Sequence, residues 1–160
     1  LGAVAAGLLL AMAPAAYFII GPGAPDPAAR IATELAANHL QLKPLEVNSP
    51  AMEDARAHFE GLGFELIDSG LPALAGLDLS GGRYCSVQGA PAAQLHLASQ
   101  GGGRLYTLYQ AQYDPERFGP LPRPERGEAP LQLQARGLSV QLWVEQGILL
   151  ALVGEKGLAR

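Results

Sequence analysis

The 160-residue chain is 49% hydrophobic and 16% charged, with a formal net charge of −4 at pH 7. The acidic balance and the lack of any basic run argue against nucleic-acid binding and against recruitment to anionic lipid headgroups, since both need clustered Lys and Arg. A single cysteine, Cys85, excludes an intrachain disulfide and any site built from several cysteines. Frequent glycine and proline favour one compact domain with well-marked turns.

The N-terminal segment Leu1–Ile20 is uncharged and almost wholly apolar. Its length matches the roughly 20 helical residues that cross a hydrocarbon core, so we predict a single transmembrane helix that contacts the lipid bilayer. The alternative is a secretory signal peptide, because Ala11-Met12-Ala13 resembles a cleavage site. No basic residue follows the span before Arg30, which predicts that the chain after it is translocated. We therefore expect a single-pass protein of the bacterial inner membrane with its globular part in the periplasm.

Residues 21–27 read as a Gly/Pro linker, and a periplasmic α+β domain is expected over residues 28–160. A first helix is predicted at Ala28–Leu42, capped by Asp26 and opened by Pro27. Its apolar stripe recurs at helical spacing and consists of Ile31, Leu35, His39 and Leu42.

A second helix is predicted from Pro50 to Leu62, with Ser49 as its N-cap and Gly61 or Gly63 as its left-handed stop. Four side chains share its apolar face, namely Met52, Ala55, Phe59 and Leu62. A short strand is expected at Phe64–Ile67.

The rest of the domain is predicted to be antiparallel sheet. Residues 82–111 read as three strands that turn at 88–91 and at the glycines 101–103, and 77–79 add a short strand before them. Leu138–Val144 and Ile148–Val153 form a second hairpin, whose more continuously apolar second strand is expected nearer the sheet centre. The predicted fold is α+β: a transmembrane helix, then two helices packed on one face of a five- or six-stranded antiparallel sheet.

A proline-rich stretch over residues 113–136 separates the two sets of strands. Its five prolines argue against a central strand or a helix through most of it. Proline-rich extended segments lose little entropy on docking, so Phe118 and Leu121 are candidate contacts to a partner protein. The alternative is a solvated, mobile loop. Trp143 is a third candidate contact, or else it covers the helices.

Cys85 is the most distinctive reactive group, and we consider a thiol sensor or a metal ligand formed with His96 on the neighbouring strand. The alternative is that Cys85 packs as a small apolar residue, because only Arg83 is near enough in sequence to lower its pKa. Three histidines and one cysteine without short spacing are a poor metal signature. No nucleophile–base pair or paired carboxylates can be named, so we expect neither a catalytic site nor a cofactor, and no enzyme.

Several motifs follow one another in a recognisable order: ANHL at 37–40, LKPLEVNS at 42–49, FEGLGF at 59–64, GGRYCSVQGAPAA at 81–93, VQLW at 140–143 and LLALVG at 149–154. Together with the apolar segment, they resemble the extracytoplasmic half of transmembrane anti-sigma factors that restrain extracytoplasmic-function sigma factors. The resemblance covers most of residues 1–154, and its sharpest element is Gly-x-x-Cys at 82–85.

The resemblance implies a membrane-anchored periplasmic sensor or regulator that acts by protein–protein interaction. In that family a cytoplasmic domain, often with a His/Cys zinc site, clamps the sigma factor, and the outer domain senses a signal or is destroyed by regulated proteolysis. No such domain precedes Leu1 in this sequence, so a sigma factor is an expected partner only through an absent cytoplasmic part. The other expected partners are membrane or periplasmic proteins. The alternative function is a single-span accessory subunit of a larger membrane complex.

Overall fold

A computed structural model describes residues 26–101 and 103–155. The helices are α1 (Pro27–Leu40), α2 (Met52–His58) and α3 (Pro115–Phe118), and the strands are β1 (Leu77–Val87), β2 (Ala90–Ser99), β3 (Leu105–Gln112), β4 (Leu131–Ala135), β5 (Leu138–Glu145) and β6 (Ile148–Gly154). No helix within these described ranges is both long and apolar enough to cross a bilayer. The predicted span at residues 1–20 and most of the predicted linker lie outside the described residues.

The strands form one antiparallel sheet in the order β1-β2-β3-β6-β5-β4. The predicted α+β class, the meander and the terminal hairpin are therefore confirmed, and β6 lies inside the sheet as expected. Gln88 and Gly89, with φ of 47° and 78°, form the two-residue turn between β1 and β2. This left-handed pair matches the right-handed twist of the flanking strands. The predicted short strand at 77–79 is the start of β1, which continues through a bulge between Leu79 and Gly81.

The two main helices pack on opposite faces of the sheet, so the prediction of two helices on one face is wrong. The α1 face consists of α1, Phe118, Leu121 and the sheet residues Val87, Ala92, Tyr109, Ala111, Leu138, Val140, Leu142, Val144, Leu149, Ala151 and Val153. The α2 face consists of α2 with the segment that follows it and the sheet residues Ala93, Leu95, Leu97, Tyr106, Leu108, Trp143, Ile148, Leu150 and Leu152. Because side chains alternate along β5 and β6 and both sets are apolar, each face needs its own cover.

Helix α1 follows its sequence signals closely. The Ala28 N–H donates to Asp26 Oδ1 over 3.4 Å, and Pro27 occupies the first turn. Ile31 and Leu35 are fully buried, and His39 is buried too. Leu42 departs from the predicted stripe: the helix ends at Leu40, and the Leu42 side chain is 60% exposed.

Helix α2 is shorter than predicted, and Ala51 stands at its N-cap position instead of Ser49. Ser49 Oγ accepts from the Ala51 N–H and donates to Asp54. The helix passes into a 3₁₀ turn, Glu60–Leu62, which the left-handed Gly63 ends as expected. Ala55 and Phe59 are buried against the sheet.

Residues 64–67 do not form the predicted strand. They belong to irregular chain on the α2 face, where the Gln110 side chain takes the place of a neighbouring strand. Gln110 Oε1 accepts from the Ile67 N–H and Gln110 Nε2 donates to the Ile67 carbonyl, each over 2.9 Å. A 3₁₀ turn at Pro72–Leu74 then leads into β1.

The stretch at 113–136 is more ordered than the prolines predict, since it contains α3, a 3₁₀ turn at Pro124–Arg126 and the edge strand β4. Tyr113 Oη donates to the Gly119 carbonyl over 2.8 Å, and the Pro122 carbonyl accepts from the Val144 N–H over 2.9 Å. Pro122 thus extends the cover of β5 beyond the end of β4. The prolines lie outside β4, which agrees with the exclusion of a central strand.

Candidate functional site, a polar cleft beside strand β1

The α1 face changes from apolar to polar toward strands β1 and β2. Arg83 pairs with Gln94 across β1 and β2, and His96 pairs with Thr107 across β2 and β3. Alternation along β2 puts Gln94 and His96 on the same face as Ala92. Gln94, His96 and Thr107 are all buried. Buried polar groups need partners, and a group of them next to one another makes this region a candidate site.

His39 reaches this cluster from the last turn of α1. Its Nδ1 lies 2.7 Å from Thr107 Oγ1, and His96 Nε2 lies 3.3 Å from Gln94 Nε2. Burial lowers the pKa of His39, with a smaller contribution from His96, and Glu155 opposes the change. Burial also lowers the pKa of His96, and the positive charge of Arg83 adds to the effect. Both imidazoles are therefore held neutral at neutral pH.

Arg83 and Glu46 form the wall of the cluster nearest the edge of the sheet. Arg83 Nη1 donates to the Pro44 carbonyl over 2.9 Å, and Nη2 lies 3.6 Å from Glu46 Oε1. Glu46 Oε2 accepts from the Tyr84 N–H over 3.1 Å. This backbone hydrogen bond is the main reason that the pKa of Glu46 is lowered, with smaller help from His58 and Arg83. The guanidinium and the carboxylate are thus both held in place by backbone contacts.

A cleft of about 340 Å³ opens between the end of α1 and the edge of β1. Eight residues line it: Asn38, Gln41, Lys43, Arg83, Tyr84, Cys85, Ser86 and Gln94. Among them are two cationic side chains, three side-chain amides, two hydroxyls and a thiol, and none of the eight is acidic. Its volume falls at the lower end of the range for small-ligand sites. This lining suits hydrogen bonding to a polar or acidic group.

Cys85 lies in this cleft, but the structure does not favour a reactive thiol. Burial raises the pKa of Cys85 to about 12, with Arg83 opposing. His96 shares the face but pairs with Gly81, whereas Cys85 pairs with Ala92, so the pair Arg83–Gln94 lies between them. The predicted diagonal contact of Cys85 and His96 is therefore wrong. No group of three or more His, Cys, Asp and Glu suited to a metal ion occurs in the part of the chain that the structure describes.

The three candidate partner contacts all lie in the interior. Phe118 and Trp143 are fully buried, and Leu121 is 8% exposed. Phe118 and Leu121 belong to the α1 face, and Trp143 packs on the α2 face. The expectation that these side chains contact a partner is thus wrong for this fold. Phe118 and Leu121 are buried because α3 and the chain after it fold back onto the sheet, and Trp143 packs in the cluster of α2, as its alternative interpretation predicts.

Sequence reasoning did not identify Gln94, Thr107 or Glu46 as site residues. A signal for two of them was present: Gln94 and Thr107 are polar at positions that alternate in phase with buried apolar residues of β2 and β3. Glu46 had no such signal, because its role depends on a contact between the 41–48 segment and β1. No protein-family model, curated protein or solved structure matches this chain.

Proposed function

We propose that this chain provides the periplasmic, membrane-anchored sensor domain of an anti-sigma-type regulator, and that it acts by binding another protein and not by catalysis. The motif order from residue 37 to 154 is the basis for the kinship. The apolar, uncharged segment at 1–20 is the basis for the anchor and for the inner-membrane location.

The observation that carries the proposal is the position of α1. This 14-residue helix begins at Pro27, in the sequence shortly after the proposed anchor, and its last turn contributes Asn38 to the cleft. At 1.5 Å per residue the helix spans about 21 Å. In this proposal one helix links the anchor at 1–20 with the group of buried polar side chains His39, Gln94, His96 and Thr107 on the α1 face.

Contacts along α1 make it a suitable transmitter. Ile31 and Leu35 are fully buried, the Tyr109 hydroxyl donates to the Leu35 carbonyl over 3.3 Å, and Glu34 accepts from the backbone N–H of Gln88 over 2.9 Å. A partner that binds one position of the α1 C-terminus better than another shifts the position of the whole helix, and with it the linker.

The test is to sequence the gene upstream of the Leu1 codon and to delete residues 26–155 in the natural gene. We expect an upstream zinc-type anti-sigma domain, and altered transcription from a reporter that depends on its sigma factor. Alkaline phosphatase fused after Arg160 should be active and a matched β-galactosidase fusion inactive, because only the first folds in the periplasm. An initiator methionine a few residues upstream, or an unchanged reporter, overturns the proposal. Co-purification in fixed ratio with membrane subunits, without a sigma factor, supports the accessory-subunit alternative instead.

A further inference from the structure

Strand β1 is the edge of the sheet, so some of its backbone N–H and C=O groups bond to β2 and the others point away from the sheet. In a two-residue hairpin the residues that flank the turn, Val87 and Ala90, exchange both backbone hydrogen bonds. Alternate residues then bond to β2, and Gly82, Tyr84 and Ser86 direct their backbone groups away from it. Observed contacts agree: Gly82 bonds to Val47 across the edge in both directions, over 2.9 and 3.0 Å.

Side chains of two other elements occupy part of this edge. Glu46 accepts from the Tyr84 N–H, and Glu34 of α1 accepts from the Gln88 N–H that follows the strand. Capping of this kind protects an edge strand from unwanted pairing. Within residues 26–101 and 103–155, no hydrogen bond across this edge reaches Ser86, which is exposed. Ser86 is thus the one backbone position between the two carboxylates that stays open to another chain.

The polar cleft lies beside this open position, because Ser86, Cys85 and Arg83 all line it. Ser86 lies on the α2 side of the strand, because Cys85 and Val87 on either side of it face α1. The peptide residue that pairs with Ser86 therefore also faces the α2 side, and the next peptide residue points its side chain to the α1 face. There it meets Lys43, Arg83 and the Gln94 amide. Two of the last carbonyls of α1, those of Asn38 and His39, accept from the Gln41 and Leu42 N–H groups. Arg83 is already paired with Glu46 over 3.6 Å, whereas Lys43 forms no ion pair within the described residues, so Lys43 is the cation that favours an acidic side chain at this position.

We propose that the cleft binds an extended peptide segment of a partner protein, which pairs by its backbone with Ser86 and places an acidic side chain beside Arg83 and Lys43. This is β-strand addition, in which main-chain hydrogen bonds give affinity and side-chain pockets give specificity. About four residues separate the Tyr84 and Gln88 caps, or roughly 13 Å of strand. That length admits three or four peptide residues. This inference rests on the sensor role proposed above and adds the kind of partner that the sensor would bind, an extended peptide with an acidic side chain.

The test uses the full chain in detergent micelles and the tetrapeptide acetyl-Thr-Val-Glu-Thr-amide, followed by shifts of backbone amide NMR signals. We expect saturable shifts centred on Ser86 and Arg83 at peptide concentrations below about 5 mM. Replacing the peptide Glu by Lys, or methylating the Val nitrogen, should weaken binding by about five- to tenfold, because each removes one charge contact or one backbone donor.

Two protein variants form a matched pair. Ser86→Pro removes the outward N–H, which an edge strand tolerates, and should weaken binding by about five- to tenfold. Ser86→Ala keeps the N–H and should leave affinity within about twofold. Circular dichroism checks that both variants fold. If Ser86→Pro does not fold, the methylated peptide still tests backbone pairing at Ser86.

Three outcomes overturn the proposal: no saturable shift with the acidic peptide, equal affinity for the methylated peptide, or equal effects of free glutamate, which indicates a small-anion site. The titration does not depend on topology or on a sigma factor. A negative titration therefore overturns the peptide site but not the regulatory role, which the deletion and fusion experiments test separately. If those experiments fail and the titration is positive, the cleft is a peptide-binding site without the regulatory role.

Discussion

The two faces of the sheet are covered in different ways. The α1 face lies mainly under one 14-residue helix, with Phe118 and Leu121 beside it, and most backbone groups of that helix bond within the helix itself. The α2 face lies under a seven-residue helix, two 3₁₀ turns and irregular chain, whose backbone groups need other partners. Side chains provide them: Gln110 bonds both backbone groups of Ile67, and Arg56 Nε donates to the Leu66 carbonyl over 3.0 Å.

Buried polar residues consequently differ in role between the faces. On the α2 face, Gln110 is fully occupied in holding the covering chain to the sheet. On the α1 face, Gln94 is equally buried, but it contacts His96 and lines an open cleft. A buried polar side chain that contacts other side chains and lines a cleft is a candidate for ligand binding. One that hydrogen-bonds the protein backbone has a structural role.

The largest effect should come from Trp143→Ala, which tests how far the α2 face depends on its central aromatic residue. Trp143 is fully buried, so we expect the free energy of unfolding to fall by about 3–5 kcal/mol. Urea denaturation followed by circular dichroism measures it, since the variant has no tryptophan. The exposed Leu42→Ala is the control and should change stability by less than about 0.5 kcal/mol. A loss below about 1 kcal/mol for Trp143→Ala would show that this face collapses around the cavity.

The comparison of the faces is tested most directly by Gln110→Leu against Gln94→Leu. The first leaves both backbone groups of Ile67 without their partner and should cost about 2–4 kcal/mol of unfolding free energy. The second removes an amide that lines the cleft and contacts only the His96 imidazole within the described residues, so water can replace it there and we expect a smaller cost, about 1 kcal/mol. Equal costs in urea denaturation would contradict the distinction between the faces.

Acid should destabilise the α1 face through His39 and His96. Because burial lowers the pKa of both imidazoles below the ordinary 6.5, the unfolded chain binds protons that the folded chain does not. Their contribution to stability is present above pH 6.5 and is lost as the pH falls from 6.5 toward the lowered pKa values. Each histidine contributes a slope of at most about 1.4 kcal/mol per pH unit. Urea denaturation between about pH 7.5 and about pH 5 measures this slope.

The control for the acid effect is His39→Gln, which keeps a polar group near Thr107 and removes one titrating site. Its unfolding free energy should fall less steeply below pH 6.5 than that of the wild type. An unchanged slope would show that His39 does not contribute.

The smallest effect on stability is expected at Cys85, which lines the polar cleft. Because burial raises the pKa of Cys85 to about 12, the folded chain should react with iodoacetamide more than about tenfold more slowly at neutral pH than the urea-unfolded chain. Cys85→Ala should cost about 1 kcal/mol of stability. Rapid alkylation of the folded chain would restore the thiol-sensor hypothesis.

Much of the fold was predictable because its signals are local. Glycines with positive φ end the strands, Asp26 and Pro27 start α1, and alternation marks β5. β4 was missed because five alternating residues between prolines and a turn resemble a loop. The candidate site was predicted only in part: Cys85 and His96 do share a face, but their separation depends on strand register, which no local pattern specifies.

By itself, the sequence determined the main turns, the position of α1, the strands of the meander and of the terminal hairpin, and that Cys85 has no second cysteine to pair with. These properties depend on backbone conformation and on spacing along the chain. Only the tertiary structure decided that α1 and α2 lie on opposite faces, that Phe118, Leu121 and Trp143 are interior, and that Glu46 and Glu34 leave Ser86 open between them. The physical reason is that periodicity shows that a side chain faces a core, but only packing decides which core and which neighbours.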